Sequence, residues 1–374
     1  MTEAWTKTNG FKERKKWRPF HATDFDSLMY PCFLMCDILG IFPYKCGPSG
    51  YSISRTRFIR CMITATLFLS MLISIEYLLI VGIATVNTIP KIIHQHFYFF
   101  MMTTIILITH FQTRAKLYLL QAMLNISSML TPKDFNDLAK FIHAKDIGIF
   151  LFVISHLPNC FTADTHMTIR NLASFSTALS TVSMEMFYIN CACVLKACFS
   201  KVNEDIYQLK KPTSQKFLRN GQNTPSLLTK LKSFEEKHLL ISNVVQLLNK
   251  TFFLRITIAT CITFVSVTFN MYFFILRMNG GENGVSYLSF WYLPYISSAV
   301  FHFCKYALLI WACESATSQA VKIRVTLYDV LGEVSDMTMK RETAAPVNYL
   351  PLHARALRFL RHNCSLLQLM LCIK

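Results

Sequence analysis

A chain that repeatedly runs through membrane-spanning lengths of apolar sequence has few ways to fold. The clearest such runs here extend from about Ile59 to Gly82, Ile92 to Phe111, Asn171 to Phe199, Phe252 to Leu276 and Ser286 to Cys313. Each matches the roughly 17–25 residues a helix needs to cross a hydrocarbon layer about 30 Å thick. A sixth, weaker run covers about residues 147–161 and carries His156 and Pro158; the charges on its two sides make it a crossing as well. The earlier stretch Leu28 to Phe42 is interrupted by Pro31, Asp37 and Gly40, and reads as an interfacial or half-buried helix. Of 374 residues, 53% are hydrophobic and 16% charged, a balance too apolar for a soluble domain of this size.

The formal net charge of +17 would suggest nucleic acid in a soluble protein, but here the basic residues sort by topology. Lys and Arg number 10 in residues 1–60, 5 in 112–146, 9 in 201–251 and 8 in 314–374, against Lys91 and Arg170 in the alternate loops and Arg277 at a membrane edge. Cytosolic loops retain Lys and Arg, so both termini are placed inside and nucleic acid is not a partner. The basic segment 12–18 ahead of the first apolar run carries no small-residue cleavage site, so no signal peptide is expected.

Thirteen cysteines could suggest a disulfide framework, yet on this topology Cys160 alone lies near the outer face. Cys191, Cys193 and Cys198 lack paired ligand spacing and read as packing residues within a span. The sequons at Asn125, Asn249 and Asn363 all fall on the cytosolic side and are expected to stay unmodified; sugar on Asn125 or Asn249 would overturn the orientation.

Two cytosolic connections are patterned as helix. Leu228, Leu231, Phe234, Leu240, Val244 and Leu248 recur at helical intervals, and no Pro or Gly separates them from the fifth span. A single helix from about Ser226 to Leu276 would be roughly 77 Å long. The sixth span continues likewise through Ala316, Ala320, Ile323, Leu327, Val330 and Leu331 up to Gly332. Such projecting stripes must bury against each other or against a neighbouring subunit. The outer loops are short, and the GGENG turn at 280–284 reads as a tight hairpin.

Ionisable groups inside a span are costly and mark function or a buried partner. Glu185 lies nearest the middle of the fourth span, and Lys305 lies in the inner half of the sixth. They are the candidate intramembrane charge and gating residues. Lys305 is expected to snorkel to the cytosolic interface, with pairing to Glu185 as the alternative. Glu76 near the outer end of the first span, and His94 and His96 at the start of the second, could face one outer cavity. Together with Asn270 and the aromatic cluster around Trp291 and Tyr295, the candidate ligand-binding set is Glu76, His96, Asn270, Trp291 and Tyr295. No metal-ligand set, nucleophile elbow, Walker loop or dinucleotide fingerprint is present in the sequence; neither an enzyme nor a cofactor or metal is expected.

The pattern resembles the insect gustatory receptor family of the insect chemoreceptor superfamily. The features that carry it are the inside amino terminus with short outer loops, the stretch FEEKHLLISNVVQLLNKTFFLRI at 234–256 with His238, Leu248, Asn249 and Phe252, and NMYFFI at 270–275. A sixth span running into CESATSQA at 313–320 completes the order. The resemblance covers about Leu28 to Leu331. It implies an all-α, polytopic plasma-membrane protein: a subunit of a tetrameric, ligand-gated, non-selective cation channel, homomeric or heteromeric, detecting small-molecule tastants. It also implies a pore-lining seventh span bearing a Thr-Tyr and Gln-Phe signature. After Gly332 the sequence offers only a short apolar run near 366–373, so the chain is expected to be truncated before that helix and not to conduct alone. The expected organisation is a cytosolic segment 1–58, a bundle of six crossings over 59–313, and a cytosolic helix and tail over 314–374. The alternatives are a non-conducting partner subunit of complete receptors and an unrelated membrane transporter.

Overall fold

The computed structural model describes residues 17–81, 89–209, 224–279 and 293–332. The 280–284 turn, Trp291 and the segment after Gly332 lie outside them. In chain order the elements are α1 (Phe25–Ile38), a hairpin of β1 (Tyr44–Gly47) and β2 (Gly50–Ile53), α2 (Arg55–Ile80), α3 (Ile89–Phe111), α4 (Thr113–Ser127), α5 (Pro132–Ile154), a 3-10 turn (Leu157–Cys160), α6 (Thr165–Leu209), α7 (Thr224–Asn279) and α8 (Leu293–Gly332).

Among the described residues, five helices are long and apolar enough to cross a membrane: Arg55–Ile80, Ile89–Phe111, Thr165–Gln208, Lys232–Leu276 and Ile296–Leu327. The sixth expected run, 147–161, is not a helix of its own. It divides between the end of α5, whose first half is polar, and the 3-10 turn that Pro158 enters. In α2 the buried positions Cys61, Ala65, Leu72, Ile75 and Leu79 fall on one face, while Ile63, Leu67, Ile73, Tyr77 and Ile80 are exposed. An apolar face of that extent is tolerable in lipid and not in water. The chain is an all-α, multi-pass membrane protein.

α6 is the axis of the bundle. Its apolar window is 89% buried, against 22–39% in the other four, and residues 181–195 are buried without interruption. The cause is its composition. TVSMEMFYINCACVL carries Glu185 and Asn190, whose partners Lys305 and Asp146 lie on two other helices, and polar groups within a span face the bundle interior rather than lipid. Most of its polar groups find partners inside the bundle, though the Asn190 side-chain carbonyl oxygen has none among the described residues. Ser183 donates to the Leu179 carbonyl at 2.8 Å, and Asn190 donates at 2.7 Å to Asp146, which is ion-paired with Lys145 on α5. Cys191, Cys193 and Cys198 are buried free thiols in this packing.

α1 runs through Pro31 unbroken. A proline removes the N–H that would hold the carbonyl four residues back, here that of Ser27, and His143 on α5 takes it up. Its Nε2 donates to the carbonyls of Ser27 (3.1 Å) and Leu28 (3.0 Å), while Nδ1 accepts from the Phe20 N–H at 3.0 Å. That set requires the neutral imidazole, because a proton on Nδ1 would face another donor. Burial lowers the His143 pKa below 6.5. The unfolded imidazole therefore binds protons first as pH falls. The clamp is fully present above about pH 6.5 and is lost as pH drops through the lowered value. The protection factor of the Phe20 amide, its exchange corrected for the intrinsic slowing toward acid, should fall between pH 7 and pH 5; equal protection at both would contradict it.

α1 ends in a Schellman motif. Ile41 N–H reaches the Cys36 carbonyl at 2.9 Å and Gly40 N–H that of Asp37 at 3.1 Å, with Gly40 at φ +67°. A Cβ on Gly40 would lie 2.7 Å from Thr64 Oγ1 on α2. Gly40→Ala is therefore expected to cost at least about 1–2 kcal/mol from backbone strain alone, read as a fall in Tm. The hairpin that follows was not anticipated from the sequence. It is pinned to the α4 region by Tyr44 donating to the Thr113 carbonyl (2.8 Å) and Gln121 donating to that of Tyr51 (2.9 Å).

The long extensions are helical as expected: α7 has 56 residues and α8 has 40. Their stripes bury against α6 as well as each other. Ala316, Ala320 and Ile323 are buried, as are Val244 and Leu248. Leu240 is not, at 36% exposed; the buried face passes through His238, Ile241 and Val245, and His238 packs on Phe199 of α6 at 5.7 Å between ring centroids. Neighbouring helical residues point about 100° apart, so including Leu240 in the stripe mixed two faces. The side chains of Val330 and Leu331 lie outside the description.

Candidate functional site

Where α3, α5, α6, α7 and α8 converge, the bundle leaves a cavity of about 220 Å³. Its walls come from helical faces of regular spacing. Ala259, Ile262, Thr263 and Ser266 on α7, and Ser298, Phe301, His302 and Lys305 on α8, both follow i, i+3, i+4, i+7. Phe175, Ala178, Thr181 and Val182 of α6 close one side. Tyr98 and Met102 of α3 and Phe152, Val153 and His156 of the α5 end close the others. All sit toward the end of the bundle that holds the α5–α6 and α7–α8 connections.

The lining combines aromatic faces with a few polar groups. Phe152 and Phe301 stack at 5.2 Å and 14°. His156 Nε2 lies 3.4 Å from Ser297 Oγ, and Tyr306, behind the wall, donates to Thr263 Oγ1 at 3.1 Å. Small residues such as Ala178, Ala259 and Ser298 create the space, and the rings around them give it rigid sides. Such a chamber can bind a small molecule by stacking and hydrogen bonds.

Lys305 connects this chamber to the axis of the bundle. Its Nζ is 3.0 Å from Glu185 Oε2 and 3.3 Å from Oε1, and it lies 4.8 Å from the Tyr306 ring centroid. The two side chains are 5% and 4% exposed. The structure thus corrects the expectation that Lys305 snorkels. An ammonium with a carboxylate within reach in the dry interior forms the pair, because a buried charge left alone costs far more.

The remaining sequence candidates lie elsewhere. Glu76 and His96 do meet, with His96 Nδ1 2.6 Å from Glu76 Oε1 across α2 and α3, but neither is among the residues lining the cavity. His94 packs against Phe269 at 4.9 Å. Asn270 is half-buried on α7 and also outside the lining. Trp291 lies beyond the described residues, and Tyr295 belongs to α8 with its side chain undescribed. Sequence reasoning missed the hydroxyl and imidazole groups on α7 and α8. Their i, i+3, i+4, i+7 spacing was the available signal.

A second buried cationic cluster lies apart from the cavity. Arg255 donates to the Thr109 hydroxyl and, at 3.3 Å, to the Ser180 carbonyl, while Lys116 on α4 donates to the Thr109 carbonyl at 2.7 Å. Burial, reinforced by the Arg255 charge, lowers the Lys116 pKa from 10.5 to about 7. It ties α3, α4, α6 and α7 together.

The family model described as 7tm Chemosensory receptor matches residues 29–366. None of the curated proteins matches the chain. The matched region takes in the bundle, the cavity and the long helical extensions, in agreement with the resemblance drawn from residues 234–256 and 270–320. The chain belongs to the 7tm chemosensory receptor family.

Proposed function

We propose that the chain is a subunit of a ligand-gated, non-selective cation channel that detects small-molecule tastants at the plasma membrane. Its amino terminus and helical extensions lie in the cytosol and it assembles as a homo- or hetero-tetramer. On this reading residues 59–313 form the membrane bundle, with the end of α5 and the 3-10 turn as its third crossing, and α8 beyond Cys313 projects into the cytosol. The observation that carries the proposal is the aromatic-walled cavity whose lining includes Lys305, ion-paired to the central helix. A ligand seated there contacts α6, α7 and α8 together. It shifts the channel toward conduction insofar as it binds that state more tightly.

Ala178 and the facing α7 and α8 walls define the test. Ligand-evoked current is recorded from cells expressing the chain alone and together with other family members. Ala178→Phe, which fills the chamber, is expected to reduce responsiveness at least about tenfold, equivalent to about 1.4 kcal/mol of binding energy, with surface expression unchanged. A response indifferent to this substitution removes the cavity from the mechanism.

A further inference from the structure

We infer that the cavity selects electrically neutral ligands, and that the Glu185–Lys305 pair enforces the selection. This rests on reading the chamber as the ligand site. Among the described lining residues Lys305 is the one with a permanent charge, and that charge is already matched. Both oxygens of Glu185 lie within 3.3 Å of its Nζ. The pair is almost wholly withdrawn from solvent, so bulk water does little to screen a third charge brought beside it.

The consequences differ by ligand charge. A carboxylate entering the chamber would share the Lys305 ammonium with Glu185, setting two like charges against each other where little water screens them. A cation would meet the Lys305 ammonium directly, with Glu185 on its far side already engaged. A neutral molecule incurs neither penalty. It can accept from Lys305, which has three N–H donors, and use the hydroxyls of Thr181, Thr263 and Ser298 while stacking on Phe301. Size narrows the class further. An apolar cavity of about 150 Å³ takes up benzene, so 220 Å³ suits a six-membered ring with substituents. The ligand class is therefore a neutral, substituted ring bearing hydroxyl or carbonyl groups.

An isosteric series tests this: benzamide, benzoate and benzamidinium, titrated against the purified full-length chain in lipid nanodiscs by ligand-observed NMR. Benzamide is expected to bind at least about tenfold more tightly than either ion, and Ala178→Phe is expected to abolish its binding. Glu185→Gln, which frees the Lys305 charge, is expected to reverse the order in favour of benzoate. Benzoate binding as tightly as benzamide to the unmodified chain overturns the inference while leaving the cavity as a ligand site. No binding of any of the three, or binding that survives Ala178→Phe, overturns the cavity reading and the inference with it. The unmodified-chain series stands even if Glu185→Gln fails to fold.

Discussion

Replacing Lys305 with methionine lowers the stability of the folded chain by about 3–5 kcal/mol, the cost of removing one partner from a buried ion pair. The magnitude follows from what is left behind. Glu185 is 5% exposed on a segment of α6 that is buried on every side, so the carboxylate has no route to water. Against a typical total stability of about 5–15 kcal/mol, that loss removes much of the folded population at growth temperature. Thermal unfolding followed by size-exclusion chromatography measures it. The double replacement Lys305→Met with Glu185→Leu should recover most of the lost Tm, because apolar groups of similar volume often substitute for a buried pair without penalty. A single variant as stable as the parent would mean that Glu185 finds another partner. The recovered double variant is expected to fold and still to bind benzamide ahead of benzoate, because the chamber then offers an anion no counter-charge, whereas Glu185→Gln alone turns the order toward benzoate.

Asp146→Ala is the second large effect, also expected at about 3–5 kcal/mol. Asp146 is wholly buried and holds two groups at once, Lys145 on its own helix and Asn190 on α6 at 2.7 Å. Removal strands an ammonium that is 4% exposed and deprives a buried amide of its acceptor. The readout should be regional. Proteolysis and hydrogen exchange should rise first along α5 and at the α1 segment that docks on it, while α7 and α8 keep their protection. Uniform loss of protection along the chain would argue that α5 and α6 unfold as one unit with the rest.

The helical architecture was legible because apolar length and the absence of breakers need only one dimension of sequence. α7 and α8 extend over nearly the ranges read for them, since between Ser226 and Leu276 no Pro or Gly interrupts the chain. Orientation around each helix was less legible. Leu240 fitted a helical interval but points away from the buried face, and Lys305 was assigned to the interface although its carboxylate partner lies 120 positions earlier in the chain. Pairing across helices depends on which faces meet, and in lipid apolar side chains cover both the packed and the exposed faces, so the usual polar stripe gives no register. The cavity was hidden for the same reason. The stretch through Pro31 was read as an interfacial or half-buried helix and is helical; what the sequence did not show is that His143 supplies the donor Pro31 lacks.

The separation of Glu185 from Lys305 also bears on how the protein is made. With 120 residues between them, and synthesis at roughly 5–20 residues per second, the ribosome needs about 6–24 s to deliver Lys305 after Glu185 has been added. For that interval α6 exists without α8, and for its first part without α7 as well. The nascent carboxylate must be sheltered by the insertion machinery or held short of the bilayer centre until α8 arrives. Biogenesis of the chain thus leaves Glu185 without its partner until its last described helix is made.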